Sequence, residues 1–290
     1  MRDTTRRKLF SLSRIVKKGL KAVGIGYLLP LREWHAAFKK RLKTDHTFID
    51  GHEMFLDQQD SLDLSIDDSY DAFERDLLKQ QVGEGDRVID LGANIGLYTL
   101  TLARLVGETG RVYAFEPDPT NFALLSKNVE LNGYRNVTLE RKAVSDKTGP
   151  AHLFRCEDNA GDHRITDSDE GRDSVEIEVI SLDDYFSSDL VPIRLIKMDI
   201  QGAEGGALKG MAQLLDRSTD PRILMEFWPA GLERFGTNPR ELLETLRARG
   251  FQILQIDHRR KELVEVTDFS AFLAEPRLCS GKHANLLCLR

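Results

Sequence analysis

The sequence predicts an α/β fold built on a mainly parallel sheet. Short apolar runs alternate with helical stretches from Val88 onward, which is the signature of βαβ units. Turns carrying glycine join the first of these units. At 41% hydrophobic and 30% charged residues, the chain can bury a core and fits neither a disordered nor a membrane protein. Its longest apolar stretch, from Ala22 to Leu31, is interrupted by Gly24, Gly26 and Pro30. A spanning helix needs about 20 apolar residues, so none is expected.

In order along the chain, Val88 to Gly92 reads as a buried strand and Ile95 to Leu105 as a helix. A second strand, Arg111 to Glu116, precedes a helix from Pro119 to Leu131. Val137 to Val144 is a third strand. Leu195 to Asp199 is a fourth, with a helix from Glu204 to Leu215, and Ile223 to Phe227 a fifth, with a helix from Pro239 to Arg249. Phe251 to Ile256 and Asn285 to Leu289 complete the set. Residues 145–192 interrupt the alternation with a short strand near His152, a polar stretch from Asp158 to Arg172 and an alternating strand from Val175 to Ile180. Such an insertion is expected over the ligand crevice at the carboxyl ends of the strands, as a lid.

Charge divides the chain at its front. Residues 1–43 hold 13 Lys/Arg and two acids, a net of +11; the whole chain is −6, so the remainder carries −17. Two domains are therefore expected, a basic helical arm over 1–46 and an acidic body over 47–290. Within the arm, Leu9, Leu12, Val16, Leu20 and Val23 recur at helical spacing. Cations interrupt them, so no secretory signal is read here. The stripe is expected to pack on the body or a second subunit, giving a homo-oligomer, or to make peripheral membrane contact through residues 7–25. An acidic body does not suit a nucleic-acid backbone. Three scattered cysteines, Cys156, Cys279 and Cys288, form neither a disulfide framework nor a zinc site, so a cytoplasmic setting, with membrane association through the arm, is expected.

The sharpest chemical signal is Asp90-Leu-Gly-Ala-Asn-Ile-Gly96, a strand running through a glycine turn into a helix. No glycine stands two after Gly92, which disfavours the pyrophosphate turn of a nicotinamide oxidoreductase. Glu116 ends the second strand before Pro117, where an acid accepts hydrogen bonds from ribose hydroxyls. Together they ask for an adenosine ligand without a pyrophosphate, such as S-adenosyl-L-methionine.

These blocks, with Ala114-Phe-Glu-Pro-Asp-Pro119, Asn128 to Gly133, Ala143-Val144, Ser181-Leu-Asp183 and Lys197-Met-Asp-Ile-Gln-Gly-Ala-Glu204, resemble the FkbM family of S-adenosylmethionine-dependent methyltransferases. The resemblance runs from about Gly51 to Asp257. It implies a Rossmann-like class I methyltransferase sheet of seven strands, the last antiparallel, and O-methylation of a sugar, glycan or natural-product hydroxyl. It also implies that Asp90, Gly92, Ala93, Asn94 and Gly96 surround the methionine part of the cofactor, that Glu116 with Pro117 holds the ribose, and that Ala143 and Val144 border the adenine. Asp199 is expected at the cofactor's amino group or the acceptor.

Methyl transfer to oxygen often needs a base. His163 is the candidate by residue type, with Asp199 as the alternative; Arg164, Glu204 and Trp228 are candidates for the acceptor. No metal is expected, because no Asp-Asn pair follows the fifth strand to join Asp199. Nucleic-acid N-methylation is disfavoured by Asp199-Ile-Gln-Gly202 where an Asn/Asp-Pro-Pro-aromatic block would stand. A different class stays open, an assembly protein at a membrane surface that binds the cofactor without catalysis.

Overall fold

The computed structural model describes residues 3–22, 29–67, 69–155, 164–165, 173–189 and 192–290. Two helices, Asp3–Ala22 and Leu29–Leu42, lead into a hairpin of β1 (His46–Ile49) and β2 (His52–Phe55), followed by the helix Ala72–Gln81. Next come β3 (Arg87–Leu91), β4 (Arg111–Phe115) and β5 (Val137–Glu140), separated by the helices Leu97–Val106 and Pro119–Leu131. β6 (Lys142–Val144), β7 (Gly149–Phe154) and β8 (Ser174–Ile180) form a small sheet of their own. The main sheet resumes with β9 (Leu195–Met198), β10 (Arg222–Phe227), β11 (Gln252–Asp257), β12 (Glu262–Glu265) and β13 (Ala284–Leu289).

Its spatial order is β12-β11-β13-β10-β9-β3-β4-β5. Neighbours from β5 to β10 pair in parallel, whereas β13 is antiparallel to both β10 and β11. The seven expected strands and the antiparallel last one are all present, and β12 adds an eighth at the edge. Consecutive strand residues face opposite layers, as the period of two demands. Ile89, Ile196 and Ile223 join one core while Val88, Leu195 and Leu224 join the other. Both faces are covered, which is why these strands read as unbroken apolar runs.

Two elements depart from the sequence expectation. The third strand is not one strand. It splits after Glu140, because β5 is the edge of the main sheet and the chain turns away to pair Lys142–Val144 with β8. The helix expected from Glu204 to Leu215 is likewise two, Glu204–Lys209 and Ala212–Arg217. The Asp183 carboxylate accepts from the Gln213 and Leu214 amides at 3.1 and 2.8 Å, and so caps a new helix start.

The arm docks on the body by a different face from the one its leucines suggest. Phe10 packs with Leu42 and Ile66, and Phe38 lies against them. Arg14 pairs with Asp67 at 2.7 Å, and Lys39 and Lys43 reach Asp63 at 2.5 and 2.7 Å. Among the described residues, no helix is long and apolar enough to cross a membrane.

Candidate functional site

A cleft of about 270 Å³ opens where β3, β4, β9 and β10 end. Carboxyl ends of parallel strands are where such sheets bind ligands. Its floor is the turn after β3. Gly92 has φ +73°, and a Cβ there would overlap the Asp199 carbonyl oxygen, so the turn and the end of β9 close only around glycine. The Gly92 and Ala93 amides both donate to the Phe115 carbonyl at 3.0 Å, tying the turn to β4. The Asn94 amide donates to Glu116 Oε2 at 2.8 Å, and the Asp118 amide to Glu116 Oε1 at 2.9 Å. Glu116 thus stands fixed at the cleft wall, 5% exposed, its carboxyl pushed up to about 7 by burial against the pull of those two amides.

Beneath the turn lies an ion pair. In the pairing of β3 with β9, Asp90 stands opposite Lys197, whose Nζ is 3.5 Å from Asp90 Oδ1. Thr99 Oγ1 donates to Asp90 Oδ2 at 2.6 Å. Lys197 donates to the Gly92 carbonyl at 3.2 Å and lies 4.8 Å from the Tyr98 ring centroid. Burial lowers its ammonium pKa, but Asp90, Asp199, Asp71 and Glu74 together more than reverse that and hold it above its ordinary value.

The far wall is acidic. Gln201, at φ +55°, donates from Nε2 to Asp199 Oδ1 at 2.8 Å and to Glu226 Oε2 at 3.1 Å. His283 Nδ1 lies 3.0 Å from Glu226 Oε1. Burial and the neighbouring Asp199 push the Glu226 carboxyl up to about 9, and burial with Glu74 and Asp199 pushes Asp71 up to about 7. Burial, with Arg277 adding to it, lowers the His283 pKa against the pull of Asp199 and Glu74. Behind this wall Tyr98 donates to Glu74 Oε2 at 2.9 Å, and His258 Nε2 lies 2.9 Å from Glu74 Oε1.

Of the residues expected at the cofactor, Gly92, Ala93, Asn94, Glu116, Pro117, Ala143, Val144 and Asp199 all line the cleft. Ala143 and Val144 reach it from β6 of the small sheet, with Leu153 of β7 and Ile165 beside them. The insertion therefore builds a wall of the cleft. Two expected residues lie elsewhere. Asp90 is fully buried under the turn in its pair with Lys197, and Gly96 packs against Leu125. Glu204 is also buried; its Oε1 accepts from the Ile200 amide at 3.1 Å, so it closes its own turn and does not face an acceptor. Arg164 and Trp228 do meet, guanidinium over indole at 4.8 Å, and Trp228 Nε1 donates to the Gly281 carbonyl at 2.9 Å, two residues from His283. His163 lies outside the described residues, as does the polar stretch from Asp158 to Arg172 apart from residues 164–165.

Lys197, Gln201, Glu226 and His283 carry no role in the sequence reading. A lysine and a glutamate inside apolar strands were the available signals for the first and third. His283 needs the antiparallel register, which sets Phe227 opposite Ala284 and brings the residue before β13 to the end of β10.

Residues 90–253 match the Methyltransferase FkbM domain. The hexuronic acid methyltransferase AglP of Haloferax volcanii is 33% identical over 141 residues, 48% of this chain and 55% of that protein. Methyltransferase 1 of Beauveria bassiana is 26% identical over 145 residues, 43% of this chain and 57% of that protein. The chain spans a little over half the length of these relatives. A solved S-adenosylmethionine-dependent O-methyltransferase of Thermotoga maritima superposes with a TM-score of 0.40 at 15% identity, over 76% of this chain and 65% of that one.

S-adenosylmethionine, the cofactor of FkbM methyltransferases, fits the donor set. Glu226, Asp199 and Glu116 line one cleft, where burial raises the Glu226 and Glu116 carboxyls and Asp199 crowds Glu226. A ligand bearing a sulfonium and an ammonium relieves that crowding. Gly92, Glu116, Ala143 and Asp199 stand around one cavity, and the domain match covers more than half of the chain. The chain belongs to the FkbM methyltransferase family.

Proposed function

We propose that the protein methylates a hydroxyl oxygen of a sugar or natural product, with S-adenosylmethionine as methyl donor. The observation that carries this reading is the pairing of His283 with Glu226 on the same cleft that holds Glu116 and Asp199. Bound there, S-adenosylmethionine supplies an electrophilic methyl group, which passes to the acceptor oxygen as its bond to sulfur breaks. Glu116 accepts hydrogen bonds from the two ribose hydroxyls. The start of the helix Leu97–Val106, which reaches the cleft at Ile95 and Leu97, suits the carboxylate of the methionine part. Asp199 accepts from its ammonium. Ala143, Val144 and Leu153 give an apolar slot suited to adenine.

His283 takes the acceptor proton. With Glu226 ionised, Nδ1–H donates to it and Nε2 keeps the lone pair that receives the proton. Trp228, whose indole bonds to the Gly281 carbonyl two residues before His283, suits a sugar face, and Arg164 stacked on it suits an anionic substituent. A uronic acid carries both, in keeping with the hexuronic acid methyltransferase of Haloferax volcanii among the relatives. The test compares extracts of cells with and without the protein by mass spectrometry. An O-methylated product that becomes lighter by one methyl group on deletion is expected. A methyl group found on nitrogen or carbon, or tighter binding of NAD than of S-adenosylmethionine, defeats the reading.

A further inference from the structure

On the helix Asp3–Ala22, four large apolar side chains among the described ones point away from the protein. Arg6, Phe10 and Ser13, spaced by 4 and 3, are each 7% exposed and form the face that docks. Leu9, Leu12, Ile15 and Val16 form another face and are 37%, 58%, 66% and 47% exposed. Trp34, stacked on Phe38 with ring centroids 5.5 Å apart, and Phe48 are 56% and 55% exposed. Among the described residues, only Leu131 and Val264 are large exposed apolar side chains outside this front segment. Exposed apolar surface gathered in one region marks a contact site.

We propose that this helix face, with Trp34 and Phe48, is a docking surface for an anionic lipid bilayer. The charge of the segment selects that occupant. Residues 1–43 carry a net of +11 in the sequence, and although Arg14, Lys39 and Lys43 pair with Asp67 and Asp63, the remaining basic excess attracts an anionic headgroup layer. A second copy applied face to face would bring two basic segments together. Lys8 precedes Leu12 by four residues and Ile15 by seven, so this exposed cation shares the apolar face, where its long stem reaches headgroups while the leucines insert. Tryptophan prefers the same depth. With its cations spread along it, the helix lies in the interface plane and does not cross it.

The surface is held ready. Phe10 locks the helix on Leu42 and Ile66, and Arg7 donates to Thr47 Oγ1 at 3.0 Å and to the Phe48 carbonyl at 2.8 Å. The exposed face therefore keeps a fixed orientation to the body, independent of the identity of the methyl acceptor.

The test is sedimentation of the full chain with vesicles of phosphatidylserine and phosphatidylcholine, against vesicles of phosphatidylcholine alone. Binding to the anionic vesicles is expected, weakening as salt is raised. The double variant Leu12→Glu, Ile15→Glu should lose at least about tenfold in partitioning, with S-adenosylmethionine affinity unchanged as the sign that the body is folded. The milder Leu12→Ser should give a partial loss. A wild-type chain that stays in the supernatant overturns the proposal, as does equal binding by the double variant. A concentration-dependent dimer that the double variant dissolves, without vesicle binding, assigns the face to a second copy instead.

Discussion

Asp90 and Lys197 face each other across adjacent parallel strands, 3.5 Å apart and almost wholly removed from water. Neither reaches the cleft as a free charge. Together they neutralise each other below the turn, and Lys197 passes the connection on to the Gly92 carbonyl. An acid at the end of a buried strand thus supports the cofactor turn from beneath.

Removing one partner leaves the other charge buried alone. Lys197→Met is expected to cost about 3–5 kcal/mol of stability, measured by urea unfolding. Asp90→Asn placed on top should recover part of that loss. Strict additivity of the two changes, within about 0.5 kcal/mol, would show that the residues do not act as a pair.

Gly92→Ala places a methyl group on the Asp199 carbonyl oxygen at a backbone angle suited to glycine. Strain of about 1–3 kcal/mol is expected in the melting curve, with a clear loss of S-adenosylmethionine affinity in calorimetry. Unchanged affinity would separate the turn from the cofactor.

Much of this was legible in the sequence, for definite reasons. Strands β3, β9 and β10 are covered on both faces, so they appear as continuous apolar runs. Asp118 accepts from the Thr120 and Asn121 amides at 2.8 and 3.0 Å, which marks the start of its helix at Pro119. The split of the third strand was not legible, because Val137 to Val144 keeps its apolar character while changing sheets. Glu226 and His283 stayed hidden for another reason. They lie 57 positions apart and meet only through the register of β10 with β13.

Acidity should stabilise the cofactor-free protein. Glu226 is pushed up to about 9, and Asp71, Glu116 and Glu204 to about 7, burial being the first cause in each. These folded values exceed the ordinary carboxylate values, so the folded state holds more protons than the unfolded one. Stability is then full below the ordinary carboxylate values of 3.8 and 4.5 and declines as pH rises from there to about 7, with Glu226 alone carrying the fall on to about 9. Scanning calorimetry without ligand should show the melting temperature falling over that window. Binding of S-adenosylmethionine should release protons, read from the buffer dependence of the binding enthalpy, and the neutral-sulfur product should release fewer. A flat melting profile with no proton release would mean that these carboxyls are already ionised.

The strongest demand falls on His283. Its ring is half-exposed at the cleft, 48% by side-chain area, and its Nδ1 is engaged by Glu226 at 3.0 Å. Partial burial and Arg277 lower its pKa, which favours the neutral imidazole, and with Nδ1 engaged the ring accepts a proton only if the lone pair sits on Nε2. That tautomer requires an ionised Glu226, because a protonated one donates to Nδ1 and turns Nε2 into a donor. The two residues therefore act as a unit, and turnover should rise with pH as Glu226 loses its proton. His283→Ala should lower kcat by about 10²–10⁴-fold with cofactor affinity within about threefold of wild type. Glu226→Gln should keep an acceptor for Nδ1–H, retain more activity than His283→Ala, and flatten the rise with pH. Turnover of His283→Ala within about threefold of wild type would remove the residue from the chemistry and return the proton to Asp199 or to the segment that contains His163.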